Sequence, residues 1–162
     1  MIAVSVVVYV AAMIAANLSA ATFGPSITPV NAFFLVGLDL TLRNLLALKL
    51  NKYQMIFLIS VSSLLSYLFN PASGMIAFAS FVAFLSSALV DWFVFSTITG
   101  MWIKRCIGGV AAGAIIDSIV FPTIAFGSLM PVIVFFQFAA KVIGGTIWAG
   151  LINKFVVSRS QQ

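Results

Sequence analysis

The stretch IAVSVVVYVAAMIAANLSAAT, Ile2–Thr22, decides the fold class. It holds no charged residue, and Asn17 is its one amide side chain. At about 1.5 Å per residue, such a run crosses the ~30 Å hydrocarbon core of a bilayer as a single helix. No basic region precedes it and no convincing cleavage site follows, so it reads as a retained first span rather than a signal peptide. Working outward, Gly, Pro, Asn and Lys cut the remainder into five more apolar pieces. Spans are expected near 2–22, 29–48, 54–69, 75–99, 106–126 and 131–153, the third being short. The whole of 1–162 therefore reads as one domain, an all-α integral membrane protein of six transmembrane helices.

Composition leads to the same class. Of 162 residues, 63% are hydrophobic and 7% charged, against about a quarter charged in soluble domains. With a mean hydropathy of +1.22, there is too little polar surface to cover a water-soluble globule. The net charge of +5 does not indicate a nucleic-acid partner, because the basic residues stand singly or in pairs at segment ends. There is no His, and Cys106 is the single cysteine. Imidazole-ligated haem, zincin chemistry, Ser-His-Asp catalysis and a disulfide framework are excluded. No GxxxxGK[ST] loop occurs, so the chain is not its own ATP motor. We expect no metal, no cofactor and no enzymatic activity, and read Cys106 as a bystander.

The connectors alternate in character. Phe23 to Thr28, Asn70 to Gly74 and Gly127 to Pro131 are uncharged. Lys49 and Lys52 fall in the second connector, Lys104 and Arg105 in the fourth, and Lys154 and Arg159 in the tail. Basic residues favour the cytoplasmic side. Six spans with both termini cytoplasmic put every basic end on that side, as expected of a multi-pass protein of the inner (plasma) membrane.

Five ionisable residues fall inside the spans: Asp39 and Arg43 in the second, Asp91 in the fourth, Asp117 in the fifth and Lys141 in the sixth. Each costs ~2.5–3.5 kcal/mol at a helix centre even on the lenient insertion scale. Asp39 and Arg43 are four residues apart and share a helix face, as do Gln137 and Lys141. Three acids face two bases. The surplus carboxylate could bind a ligand's donors, carry a proton, or simply be uncharged. An internal polar network that locks helices together is the structural alternative, but intramembrane charge defaults to a substrate or ion path.

Small residues repeat every four positions: Ala12, Ala16 and Ala20, Ala11 and Ala15, Gly109 and Gly113, Gly145 and Ala149. Such rows let helix backbones approach closely, chiefly within one molecule. Aromatics accompany the acids. Trp92 and Phe93 follow Asp91, Phe121 lies one turn beyond Asp117, and Phe33 and Phe34 precede Asp39. Carboxylates beside aromatic faces suit a flat, hydrogen-bonding heterocycle as a small-molecule substrate.

These residues carry a family resemblance. The run Phe33-Phe34-Leu35-Val36-Gly37-Leu38-Asp39-Leu40-Thr41-Leu42-Arg43 resembles the F-x-L-x-x-D-L-T-x-R stretch of the VUT family, the queuosine-precursor transporters. Asn17-Leu18 is similar to that family's early-span Asn. Ala79 to Phe84, with Asp91 and Phe95 beyond, resembles A-S-F-x-A-Y and its later Asp. Gly113 to Ser118 resembles G-N-x-x-D-[ST], and Phe138 to Val142 resembles Y-x-x-K-V. Ala114 and Gln137 depart from the family pattern. The resemblance implies a six-helix carrier for 7-cyano-7-deazaguanine or its aminomethyl relative. The ring's N–H edge matches a carboxylate, and its carbonyl matches Lys, Arg or an amide.

On this reading Asp117, Asp91, Lys141, Gln137 and Asn17 line the substrate cavity, and Asp39–Arg43 is a gating or structural pair. Two rivals differ in class. A substrate-binding component of an energy-coupling-factor vitamin importer would use an Ala-x-x-x-Ala row to dock an ATPase module. A channel-like or scaffold protein would use the charges structurally and move no solute.

Overall fold

A computed structural model describes residues 2–46, 48–69 and 74–157. Among these residues there are six helices and no strand. They are α1 (Ile2–Phe23), α2 (Pro25–Leu46), α3 (Lys52–Phe69), α4 (Gly74–Thr97), α5 (Trp102–Phe126) and α6 (Pro131–Ile152). Among the described residues, α1, α2, α4, α5 and α6 are each long and apolar enough to cross a membrane. The 18-residue α3 lies against α1 and α4.

The boundaries differ from the sequence expectation mainly at basic residues. Lys52, Lys104 and Arg105 lie in first helical turns rather than in connectors. Arg105 is held there by its own chemistry: Nε donates to the Phe95 carbonyl at 3.0 Å, and the guanidinium sits 4.1 Å from the Phe95 ring centroid. A long apolar stem and an aromatic neighbour let such a residue join a helix end without losing water at its head. Lys154 lies in a wide π-turn, Asn153–Val157, that prolongs α6. Asn70 to Ser73 of the third connector, and Arg159, lie outside the described residues.

The second helix is the axis of the bundle. It begins as a 3-10 turn at Pro25–Ile27, becomes α-helical over Thr28–Asn31, widens to a π-turn at Ala32–Val36, and ends as the α-helix Gly37–Leu46. In that last segment all but Leu38 and Leu45 are buried. It packs on α1, α5 and α6. A helix wrapped on every side can carry polar groups on more than one face, since lipid touches little of it.

Close backbone approach makes this wrapping possible. A Cβ on Gly144 would overlap the Phe33 carbonyl oxygen, so α6 lies directly on the π-turn of α2. The Thr41 hydroxyl lies 2.9 Å from the Gly37 carbonyl and 3.1 Å from that of Gly145, bridging the same two helices. On α5, a Cβ on Gly109 would overlap Asp91 Oδ1 of α4. The Gly109 and Gly113 row therefore faces α4 within the molecule. Ala12, Ala16 and Ala20 are buried, whereas Ala11 and Ala15 are exposed.

Overpacking a tight contact costs about 1–3 kcal/mol. Gly144→Ala is therefore expected to lower the melting temperature of the detergent-purified protein. Gly150→Ala, with open space around its Cβ position, is expected to leave it unchanged or raise it slightly.

Candidate functional site

The polar side chains inside the bundle form two groups. The first is built around Lys141 on α6. Its Nζ lies 2.6 Å from Asp117 Oδ2 and 3.0 Å from both Ser118 Oγ and Gln137 Oε1. An ammonium has three donors, and all three are used. Asp117 and Ser118 come from α5, one turn before Pro122. Proline has no N–H to give the Ser118 carbonyl, so the usual helix bond to that carbonyl is missing.

The network continues outward from Gln137. Its Nε2 donates to Thr28 Oγ1 at 2.7 Å, and the Thr28 hydroxyl donates to the Pro25 carbonyl at 2.6 Å. Nearby, Asn31 Nδ2 donates to Ser19 Oγ at 2.7 Å, and Ser80 Oγ donates to Asn17 Oδ1. Asn17, Thr28, Asn31, Ser80, Asp117, Gln137 and Lys141 line a cavity of about 30 Å³ together with Phe84 and Phe121. That is room for one or two waters. Helices α1, α2, α4, α5 and α6 all contribute.

The second group surrounds Arg43 on α2. Its Nη1 donates to the Phe84 carbonyl at 3.1 Å and to Ser87 Oγ at 3.2 Å. Two carboxylates stand at longer range: Asp39 Oδ2 is 3.8 Å from Nη2, and Asp91 Oδ2 is 3.9 Å from Nε. Asn44 Nδ2 donates to Asp91 Oδ1 at 3.1 Å. Neither carboxylate oxygen of Asp39 has a hydrogen-bond donor among the described residues, and Tyr9 OH is likewise unpartnered. This group therefore holds two acids and one base, whereas the Lys141 group is balanced. The surplus carboxylate of the sequence belongs here.

The structure thus brings Asn17, Asp117, Gln137 and Lys141 to one cavity. It places Asp91 elsewhere, with Asp39 and Arg43. Of the aromatics, Phe121 lines the first cavity, while Phe34 and Phe93 are exposed. Cys106 is buried in the core. Sequence reasoning missed Thr28, Asn31, Ser80 and Ser118 in one group, and Asn44 and Ser87 in the other. Ser87 had a usable signal: it lies four residues before Asp91, on the same helix face. Thr28 had none, since a hydroxyl beside two prolines reads as a turn.

Removing one partner of a buried pair strands the other and costs about 3–5 kcal/mol. Lys141→Met is expected to destabilise the protein by that amount in thermal unfolding. The double substitution Lys141→Met with Asp117→Asn is expected to recover much of the loss.

Comparison with known proteins identifies a family. A family model described as "Putative vitamin uptake transporter" matches residues 1–154. No curated protein and no solved structure gives a significant match. A match over nearly the whole chain shows the family: this chain belongs to the transporter family so described.

Proposed function

We propose that this member carries a queuosine precursor, a 7-deazaguanine such as 7-cyano-7-deazaguanine, across the inner membrane into the cytoplasm. Six spans with both termini cytoplasmic complete the reading, α3 included. The observation that carries it is the Asp117–Lys141–Gln137 network, a buried carboxylate, ammonium and amide converging on one small cavity.

The chemistry of recognition follows from what each group already does. Asp117 accepts hydrogen bonds, so it takes the ring's N1–H and exocyclic amine. Lys141 and the Gln137 amide donate, so they take the ring's carbonyl. Asn17 supplies a further amide at the edge. Phe84 and Phe121 offer faces to a planar ring. In the present state these groups satisfy one another. A ligand must therefore replace each bond it breaks, because an unmatched buried polar group costs ~1–3 kcal/mol. That requirement selects a ring with donors and acceptors in the matching order. The present cavity is far below the ~300 Å³ of small-molecule pockets, so binding requires the helices around it to open. Asp39–Arg43 then serves as a gating pair.

A second reading has one observation in its favour. Ala11 and Ala15 form an exposed Ala-x-x-x-Ala row on α1, suited to docking the helix of an ATPase module. Co-purification of an ATPase, or Ala15→Trp that blocks uptake but spares binding, would select it.

Cells unable to make 7-cyano-7-deazaguanine test the proposal, with queuosine in tRNA as the readout. Wild type is expected to restore queuosine. Asp117→Asn at equal membrane expression is expected to lower uptake by about tenfold or more, the equivalent of ~1.4 kcal/mol. Wild type equal to empty vector, both alone and with an energy-coupling module co-expressed, would remove the substrate assignment. A fluorescent reporter at the C-terminus is expected to be active, and a periplasm-dependent phosphatase there inactive.

A further inference from the structure

We infer that the molecule has a second binding station, a chamber between α2, α3 and α4 that takes the same class of flat heterocycle by a lactam edge held between Arg43 and Asp91. The inference rests on the carrier reading above and adds a site to it.

The chamber has a volume of about 270 Å³, nine times that of the Lys141 cavity. It is close to the ~300 Å³ lower bound of small-molecule pockets. Its polar floor is Arg43, Asn44 and Asp91, and its walls include Leu85, Ala88 and Trp92. Lys52 stands among its lining residues, which places the chamber toward the basic, Lys52 end of the bundle.

The floor is unfinished. The Arg43 side chain is 5% exposed, yet its Nε and Nη2 have no hydrogen-bond acceptor among the described residues. The nearest oxygen given for Nε is Asp91 Oδ2 at 3.9 Å, beyond the 2.7–3.2 Å of a hydrogen bond. Asp91 keeps its other oxygen on Asn44. A donor and an acceptor therefore stand side by side, buried beneath the chamber and without a hydrogen bond between them. A cyclic amide presents a carbonyl oxygen beside an N–H. The carbonyl accepts from Arg43, the N–H donates to Asp91 Oδ2, and Trp92 covers a ring face. Both unpaired guanidinium donors gain a partner, and donors that are buried and unmatched are what a ligand is best placed to relieve.

Phe84 connects the two sites. It lines the Lys141 cavity, its carbonyl accepts from Arg43 Nη1, and the guanidinium stands 5.9 Å from its ring centroid. A ring leaving the first cavity past Phe84 meets Arg43 next. A lipid tail also suits the apolar walls, but it leaves Arg43 Nε and Nη2 unpaired.

The test uses the full chain with Cys106→Ala and either Leu85→Cys or Ala88→Cys, in inside-out membrane vesicles. Labelling by a hydrophilic maleimide is timed with and without 7-cyano-7-deazaguanine, and uptake of the same compound is measured in cells. Saturating compound is expected to slow labelling at least about fivefold. Asp91→Asn is expected to abolish that protection, and Asp117→Asn to retain it. Uptake without protection overturns the station and leaves the carrier reading standing. A chamber that no reagent reaches, with or without compound, also overturns it. Loss of both uptake and protection overturns the two together.

Discussion

An ammonium in the middle of a bilayer cannot be solvated by lipid, so the protein must surround it. Lys141 shows what that requires. Three acceptors from two helices, at 2.6 to 3.0 Å, take its three protons. The ion pair alone would not suffice, because desolvation of both charges can exceed their attraction. The amide of Gln137 and the hydroxyl of Ser118 close the difference. Once Gln137 is turned toward Lys141, its own amide donors need an acceptor, which Thr28 supplies. The start of α2 is thereby tied to α6. The position of one charge thus propagates through hydrogen bonds to a helix beginning more than a hundred residues earlier.

That propagation depends on backbones lying close together. Side chains as short as Thr41 reach a neighbouring carbonyl only because Gly37, Gly144 and Gly145 remove the bulk between α2 and α6. The same holds where Gly109 and Gly113 admit Asp91 and Ser87 against α5. In lipid there is no hydrophobic drive to push helices together, so packing and polar contacts must do so. Here the two act at the same places. The glycines permit the approach, and the polar groups they admit hold it. The wide turn at Ala32–Val36 fits the same account, since it lies where α6 presses on the α2 backbone.

Much of this was legible in the residues before any coordinates. Helix count and approximate limits follow from runs of apolar residues, because lipid imposes one length on each. The inward direction of Asp39, Asp91, Asp117 and Lys141 follows from the cost of facing lipid. The Gly109 and Gly113 row is visible as spacing. What spacing could not convey was which charges meet. Asp91 and Asp117 both precede aromatics and both sit in apolar helices, so sequence grouped them. Packing separates them, because Asp91 faces the Arg43–Asn44 end of α2 and Asp117 faces α6. Thr28 and Asn31 were hidden for another reason. They lie in a segment that begins as a 3-10 turn and reads locally as a connector, and only its docking on α1 and α6 makes them interior.

The two polar groups differ in completeness, and this difference bears on how the molecule can move. Around Lys141 every ammonium donor is matched, so any displacement of α5 against α6 breaks bonds that nothing replaces. Around Arg43 the contacts to Asp39 and Asp91 are long, and several donors and acceptors are unmatched. A partly satisfied network has little to lose from rearrangement, and a network with spare donors can be satisfied in more than one geometry. Motion is therefore easiest at the Arg43 end of α2, beside the larger chamber, and hardest at the Lys141 end, where the cavity is closed. Phe84 belongs to both ends: it lines the closed cavity, and its carbonyl and ring both meet Arg43. A shift of Arg43 is felt there first, which makes the α4 backbone at Phe84 the shortest physical link between the two halves of the bundle.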